Sequence, residues 1–253
     1  IFWWIILNAM MNTINTTQLF SESTVHNKSS HCVSSHLENL TPKDSFSGKG
    51  LFITFEGIEG SGKTTQIIML VEVLKAKGIP YVTTREPGGT KISEAIRDLL
   101  LNPEFMEMKP ETELLLYCAS RAQHTAELIL PALEEGKIVI SDRYFDSTYA
   151  YQGAARELDE EVINVLTRFS TYGRNPDLTF LLDLPVEVGL ARIKNRNLDR
   201  LEQETLSFHE KVRRQFLSIA NKYPSRYIVL NGESQPEIIH RQILSTLQPF
   251  IGE

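Results

Sequence analysis

Residues Gly57-Ile58-Glu59-Gly60-Ser61-Gly62-Lys63-Thr64 fit the phosphate-loop pattern G-x-x-x-x-G-K-[ST] at every fixed position. Before them runs Leu51-Phe52-Ile53-Thr54-Phe55, short, apolar and β-prone. After them, Thr65 to Val71 contain no Gly or Pro. This strand–loop–helix order is the setting in which such a loop binds phosphate. Its glycines let backbone N–H groups curl around an anion with no Cβ in the way. The helix that follows directs its positive end at the same point. Lys63 is expected to reach the β and γ phosphates, and the Thr64 hydroxyl to sit on Mg²⁺. The alternative is a chance Gly-rich turn.

Net charge is −6 over 253 residues, so there is no general basic field to attract nucleic acid. Phosphate binding then has to come from a few placed cations. The two cysteines, Cys32 and Cys118, make no disulfide framework, which suits a reducing cytosol. Cys118, in an apolar stretch, reads as a small buried hydrophobe. The apolar run Ile1 to Leu7 is too short to span a bilayer and has no basic residues before it, so no membrane is expected. Ser21 to Ser47 is rich in Ser and Thr and poor in large apolar groups, and disorder is expected there. Asn-x-Ser/Thr triplets at Asn15, Asn27 and Asn39 are expected by chance in such a stretch. With no Met at position 1 and Met10 and Met11 just downstream, residues 1–48 read as an over-extended start, a tail, or both. Residues 49–253 then hold the folded domain.

Along that domain, strand-like runs near 51–56, 80–84, 137–141, 178–184 and 226–230 alternate with helical patterns. Helices are predicted at 63–77, 90–101, 111–135, 159–172, 186–196, 201–222 and 235–249. The pattern is clearest where Leu201, Thr205, Phe208, Val212, Phe216 and Ile219 recur three or four apart. Such alternation predicts an α/β fold, a parallel sheet with helices on both faces. Ligands bind such sheets beyond the carboxyl ends of the strands, where the phosphate loop lies.

Small-molecule kinases, switch GTPases and assembly ATPases share this loop. A GTPase should carry a late N-K-x-D element, but Asn221-Lys222-Tyr223-Pro224 has Pro where Asp is needed. A kinase should carry further cations for its acceptor and a mobile cover that excludes water. Thr84-Arg85-Glu86-Pro87-Gly88-Gly89-Thr90 ends the second strand, and Ser141-Asp142-Arg143-Tyr144 ends the third. Thr148 to Arg156 is rich in small residues around one Arg and suits a lid over about 150–160. Tyr117 and Arg121, four apart, share one helix face.

These segments together resemble the bacterial thymidylate kinases over residues 51 to about 250. The most specific stretches are FEGIEGSGKTTQ, TREPGGT, DRYFDSTYAYQGAAR and PDLTFLLDLPVEVGL. The resemblance implies a five-stranded parallel sheet of the phosphate-loop kinase fold, with the loop strand central. It also implies transfer of the ATP γ-phosphate to dTMP, giving dTDP and ADP for dTTP synthesis, in a cytoplasmic homodimer. Gly57, Ile58, Glu59, Gly60, Ser61, Gly62, Lys63, Thr64 and Thr65 would hold the ATP phosphates and Mg²⁺. Asp142 would hold the metal with Thr64, the alternative being an ion pair to a neighbouring Arg.

Glu59 matches an acidic position near the dTMP sugar and the metal; otherwise it is a solvated loop carboxylate. Arg143 resembles the clamp between donor and acceptor phosphates. Arg85, with Glu86 and Pro87, resembles the segment that grips the dTMP phosphate; for Arg143 or Arg85 alone, a structural salt bridge is the alternative. Tyr117 and Arg121 resemble the pair that reads thymine. Tyr151 matches a tyrosine against the sugar, with Thr148 and Gln152 in the same pocket. Arg156 resembles the catalytic arginine of members that carry it in the lid, since Ile58, Glu59 and Ser61 supply no loop cation. Ala154, Ala155 and Glu157 replace glycines common there. Arg196 and Arg192 match the region that stacks on adenine, or form a solvated basic helix face. A deoxynucleoside kinase and a nucleotide-binding regulatory module without turnover are the competing readings. The former has no need of Arg85, and the set of Lys63, Asp142, Arg143 and Arg156 argues against the latter.

Overall fold

The computed structural model describes residues 50–195 and 197–252. The expectations for residues 1–48, Cys32 among them, and for Arg196 lie outside the described residues. Five strands form one sheet: β1 (Phe52–Glu56), β2 (Tyr81–Arg85), β3 (Ile138–Asp142), β4 (Leu178–Asp183) and β5 (Tyr227–Asn231). Their order is β2-β3-β1-β4-β5, and every pair is parallel. The phosphate-loop strand β1 is therefore central, as the resemblance implies, and the sheet is parallel, as the alternation predicts.

Parallel strands need crossovers, and helices supply them. They are α1 (Lys63–Ala76), α2 (Lys91–Leu101), α3 (Pro110–His124), α4 (Leu130–Glu134), α5 (Phe145–Thr148), α6 (Glu160–Ser170), α7 (Val186–Ile193), α8 (Leu206–Lys222) and α9 (Pro236–Ile251). On one face of the sheet, α1 and α9 pack Leu70, Leu74 and Ile243 against Ile53, Phe55 and Phe180. On the other, Phe52 and Val139 meet Ile129 and Leu133, while Leu181 meets Val212 and Phe216 of α8. With both faces covered, β1, β3 and β4 read as near-continuous apolar runs rather than alternating ones.

Helix starts follow from caps. Thr90, Asp159 and Thr205 each accept a hydrogen bond from the first turn that follows, at Ser93, Glu161 and Phe208. The Thr205 cap starts α8 at Leu206, so residues 201–204 of the predicted 201–222 helix form turns instead. The predicted 111–135 helix is interrupted by a π-turn at Thr125–Ile129. Pro131 explains it: proline has no N–H for residue 127, and its ring would crowd that carbonyl. The Leu130 N–H reaches back five residues to Thr125 instead. A second π-segment, Tyr149–Ala155, lies in the stretch expected to be a lid, with the Arg156 N–H donating to the Tyr151 carbonyl. Cys118 is a buried free thiol, as expected.

Candidate active site

The phosphate loop joins β1 to α1 across a tight gap. Gly57 (φ 137°) and Gly60 (φ 71°) adopt backbone conformations that side chains disfavour. A Cβ on Gly60 would stand 2.2 Å from the Gly189 carbonyl oxygen of α7. The loop is thus seated against α7 as well as on the sheet. Lys63, nearly buried, donates from Nζ to the Gly57 and Ile58 carbonyls, each at 3.0 Å. Burial pushes its ammonium down to about 8, and the Arg143 charge adds to this against Asp142, Glu59 and Glu56. Thr64 Oγ1 donates to Asp142 Oδ2 at 3.2 Å, so β3 answers β1 at this point. A hydroxyl and a carboxylate side by side are hard oxygen donors and suit Mg²⁺, which keeps most of its waters.

Arg143 stands at a strained corner just after β3. Its φ is 72°, a left-handed conformation that costs a non-glycine residue roughly 1–2 kcal/mol. The Arg143 N–H donates to the Phe55 carbonyl at 2.9 Å. Its guanidinium donates to Glu59 Oε1 at 2.9 Å and to Ser147 Oγ at 3.2 Å, and lies 5.1 Å from the Tyr151 ring centroid. Glu59 also accepts from the Tyr151 hydroxyl and faces His209 of α8 at 3.4 Å. Burial works to raise the Glu59 carboxyl, but Arg143, His209, Lys63 and Tyr151 together hold it well below the usual carboxylate range. Glu59 is therefore a paired anion at the heart of the site, not a solvated loop residue.

The side of the cavity near Glu86 and Arg121 is built the same way. Glu86 is buried and accepts from Arg121 Nε at 2.9 Å, with His124 Nδ1 at 3.2 Å from its other oxygen. Arg121 also donates to Thr148 at 2.8 Å, and its Nη1 has no hydrogen-bond partner among the described residues. Arg85 is half exposed and pairs with Glu94 at 2.9 Å. A single cavity of about 760 Å³ is walled by Glu59 to Thr65, Arg85, Glu86, Pro87, Tyr117, Arg121, Asp142, Arg143, Thr148, Tyr151, Gln152 and Arg192. Gly57 and Ile58 stand behind this wall, where their carbonyls hold Lys63.

Arg192 ties the loop to the turn that follows β5, donating to the Gly60 and Gly232 carbonyls at 3.0 and 3.1 Å. Sequence reasoning missed Arg97, Asp199 and Glu202, which share the wall. Arg97 donates to the Pro87 carbonyl at 2.7 Å. Its spacing of four from Ser93, on the helix capped by the TREPGGT segment, was the available signal.

Arg156 is absent from the cavity wall. It donates to Glu113 from Nε at 3.3 Å and Nη2 at 3.2 Å, pairs with Glu204 at 2.7 Å, and lies 4.8 Å from the Phe208 ring centroid. Glu113, fully buried on α3, also accepts from Gln152 at 2.8 Å and pairs with Arg200 at 2.6 Å.

The Lys63 shift makes a prediction with a definite sign. An ammonium lowered to about 8 loses its charge above that pH, well before a free lysine does. kcat/KM for ATP should fall about tenfold per pH unit above that point, because this ratio reports the free enzyme. Bound phosphate favours the charged form, so the limb in kcat at saturating ATP should lie at higher pH. Coincident limbs in the two profiles would remove Lys63 from this role.

Comparison with known proteins agrees with the geometry. The family model for thymidylate kinase matches residues 55–243. A thymidylate kinase of Carboxydothermus hydrogenoformans is 52% identical over 205 residues, covering 81% of this chain and all of that protein. One from Lactobacillus acidophilus is 45% identical over 204 residues, 79% of this chain and 94% of the relative. The crystal structure of thymidylate kinase from Ehrlichia chaffeensis superposes with a TM-score of 0.66 at 35% identity, covering 79% of this chain and all of that one. The phosphate loop on a central strand, the opposed arginines and these matches together establish that the chain belongs to the thymidylate kinase family, phosphotransferases that use ATP to convert dTMP to dTDP.

Proposed function

We propose that ATP and dTMP lie end to end in the one cavity, with Lys63 and Arg143 at their junction and Arg156 joining them from the lid. The observation that carries this reading is the shared wall itself. Lys63, Thr64 and Asp142 stand on the loop side of a space that Arg85, Arg121, Tyr117 and Tyr151 close from the other. Two phosphates brought in line repel each other, and the fixed cations offset that repulsion as charge spreads over the transferring group. Thr64 and Asp142 would hold Mg²⁺, which supplies further positive charge on the ATP phosphates. The dTMP phosphate is already ionised near neutral pH, so no general base is required. Tyr117 and Arg121 read the base, and Tyr151 packs against a sugar that lacks a 2′-hydroxyl.

The lid role of Arg156 requires an exchange of partners. Its carboxylate contacts with Glu113 and Glu204 must give way to contacts with phosphate oxygens, which suit a guanidinium equally well. Arg156→Ala should therefore lower kcat by on the order of a thousandfold. It should leave KM for dTMP within about threefold of wild type. Steady-state kinetics with both substrates checks this, and a loss in kcat below about tenfold would show that another cation does the work.

The chain should act as a cytoplasmic homodimer; a reducing compartment suits the free Cys118 thiol. Helices α2, α3 and α6 carry exposed apolar residues that support the dimer: Ile92, Leu99, Leu115, Val165 and, at 79% exposure, Phe169. Such residues commonly mark a protein interface. Phe169→Asp should turn a dimer into a monomer in analytical ultracentrifugation. A wild-type protein already monomeric at micromolar concentration would end this proposal, and recovery of the protein from a membrane or secreted fraction would end the assignment to the cytoplasm.

A further inference from the structure

Beneath Arg143 lies a buried acid with no part in the scheme above. Glu56, the last residue of β1, is fully buried and does not reach the cavity wall. Its Oε1 accepts the Tyr144 backbone N–H at 2.8 Å, and its Oε2 accepts the Ser147 hydroxyl at 2.7 Å. Arg143 Nη1 stands 3.9 Å from that Oε2 and donates to the same Ser147 at 3.2 Å. One carboxyl group thus grips the chain on the far side of Arg143, while the Phe55 carbonyl grips the Arg143 N–H itself. Arg143, between these two anchors, is the residue with φ 72°.

A carboxylate is a poor choice for this position on packing grounds alone. Burial pushes it up to about 8, Asp146 pushes the same way, and Arg143, Ser147 and the Tyr144 amide oppose the shift without cancelling it. Its neighbours Ile53 and Phe55 on the same strand are apolar, and an apolar residue here would carry no such penalty. What an apolar residue cannot do is accept from the Tyr144 amide and the Ser147 hydroxyl at once. Without that grip, a non-glycine residue in a left-handed conformation relaxes toward the right-handed region, and its side chain then leaves in another direction.

We infer that Glu56 is the positioning residue of Arg143: it fixes the left-handed corner from which the guanidinium is aimed between Glu59 and the Tyr151 ring. The inference rests on the reading of Arg143 as the clamp between the two phosphates. Glu56 touches neither substrate, so its whole effect passes through Arg143.

Four variants test it: Glu56→Ala, Ser147→Ala, Arg143→Ala and the Glu56→Ala/Arg143→Ala double variant. Each is assayed for kcat and for KM of ATP. The Arg143 side-chain resonances, shifted by the Tyr151 ring, are followed by NMR. Glu56→Ala should lower kcat on the order of a hundredfold, as misplacement by about 1 Å does. KM for ATP, set by the phosphate loop, should stay within about threefold. The double variant should be no more than about twofold slower than Arg143→Ala, because a residue acting through another adds nothing once that one is gone. The ring shift at Arg143 should be lost. Losses that multiply in the double variant, or an unchanged ring shift in Glu56→Ala, would overturn the inference. If Glu56→Ala does not fold, Ser147→Ala removes one of the two anchoring contacts and leaves the buried acid; it should weaken the ring shift, and an unchanged shift again overturns the inference. Arg143→Ala with turnover within about tenfold of wild type would instead sink the clamp reading. The NMR arm would still decide whether Glu56 aims the guanidinium.

Discussion

Buried carboxylates beneath arginines hold the carboxyl edge of this sheet in shape. Glu59 lies under Arg143, Glu86 under Arg121, and Glu113 under Arg156 and Arg200. An uncompensated carboxylate in such a place costs several kcal/mol, so each arginine is held where its partner is. Deleting one partner of such a pair typically destabilises a fold by about 3–5 kcal/mol. The consequence for chemistry is direct. Guanidinium groups that already satisfy carboxylate oxygens are spaced and oriented for phosphate oxygens too. Under the proposed function, a nucleotide entering the cavity would find Arg121 and Arg143 already on its wall.

The role proposed for Arg156 requires this arrangement to change there. It lies on the lid side of Glu113, with Gln152 on the same carboxylate and Phe208 of α8 behind it. The π-segment Tyr149–Ala155 carries both Gln152 and the approach to Arg156. Such π-turns recur at functional sites. The resemblance implies glycine at three positions that are Ala154, Ala155 and Glu157 here. Glu157 adopts φ 61°, so glycine's conformation is kept although the residue is not.

Much of this was legible in the sequence because the signals are local. The phosphate loop declares itself by spacing, and the apolar runs of β1, β3 and β4 by burial on both faces. Asp142 and Arg143 were visible as polar residues that break an apolar strand at its carboxyl end. The resemblance added roles to Arg121, Tyr151 and Glu59 that spacing alone does not carry. What stayed hidden depends on contacts distant in the chain. Glu113 looks like an ordinary polar residue in the first turn of a helix, yet its partners come from residues 152, 156 and 200. Arg97 looks like one charge on an amphipathic helix until the Pro87 carbonyl folds over it. The π-turn before Pro131 was foreseeable from the proline, but the 3.6-residue periodicity runs on through it.

On the proposed function, the phosphate loop and the second set of cations form one site for joining two phosphates. Product analysis by ³¹P NMR tests it most directly, with Mg²⁺ and ATP incubated with dTMP, with thymidine, or with neither. dTDP and ADP should form in equal amounts with dTMP, with no appreciable turnover in the other two mixtures. Formation of dTMP from thymidine, or ADP release indifferent to the acceptor, would contradict it.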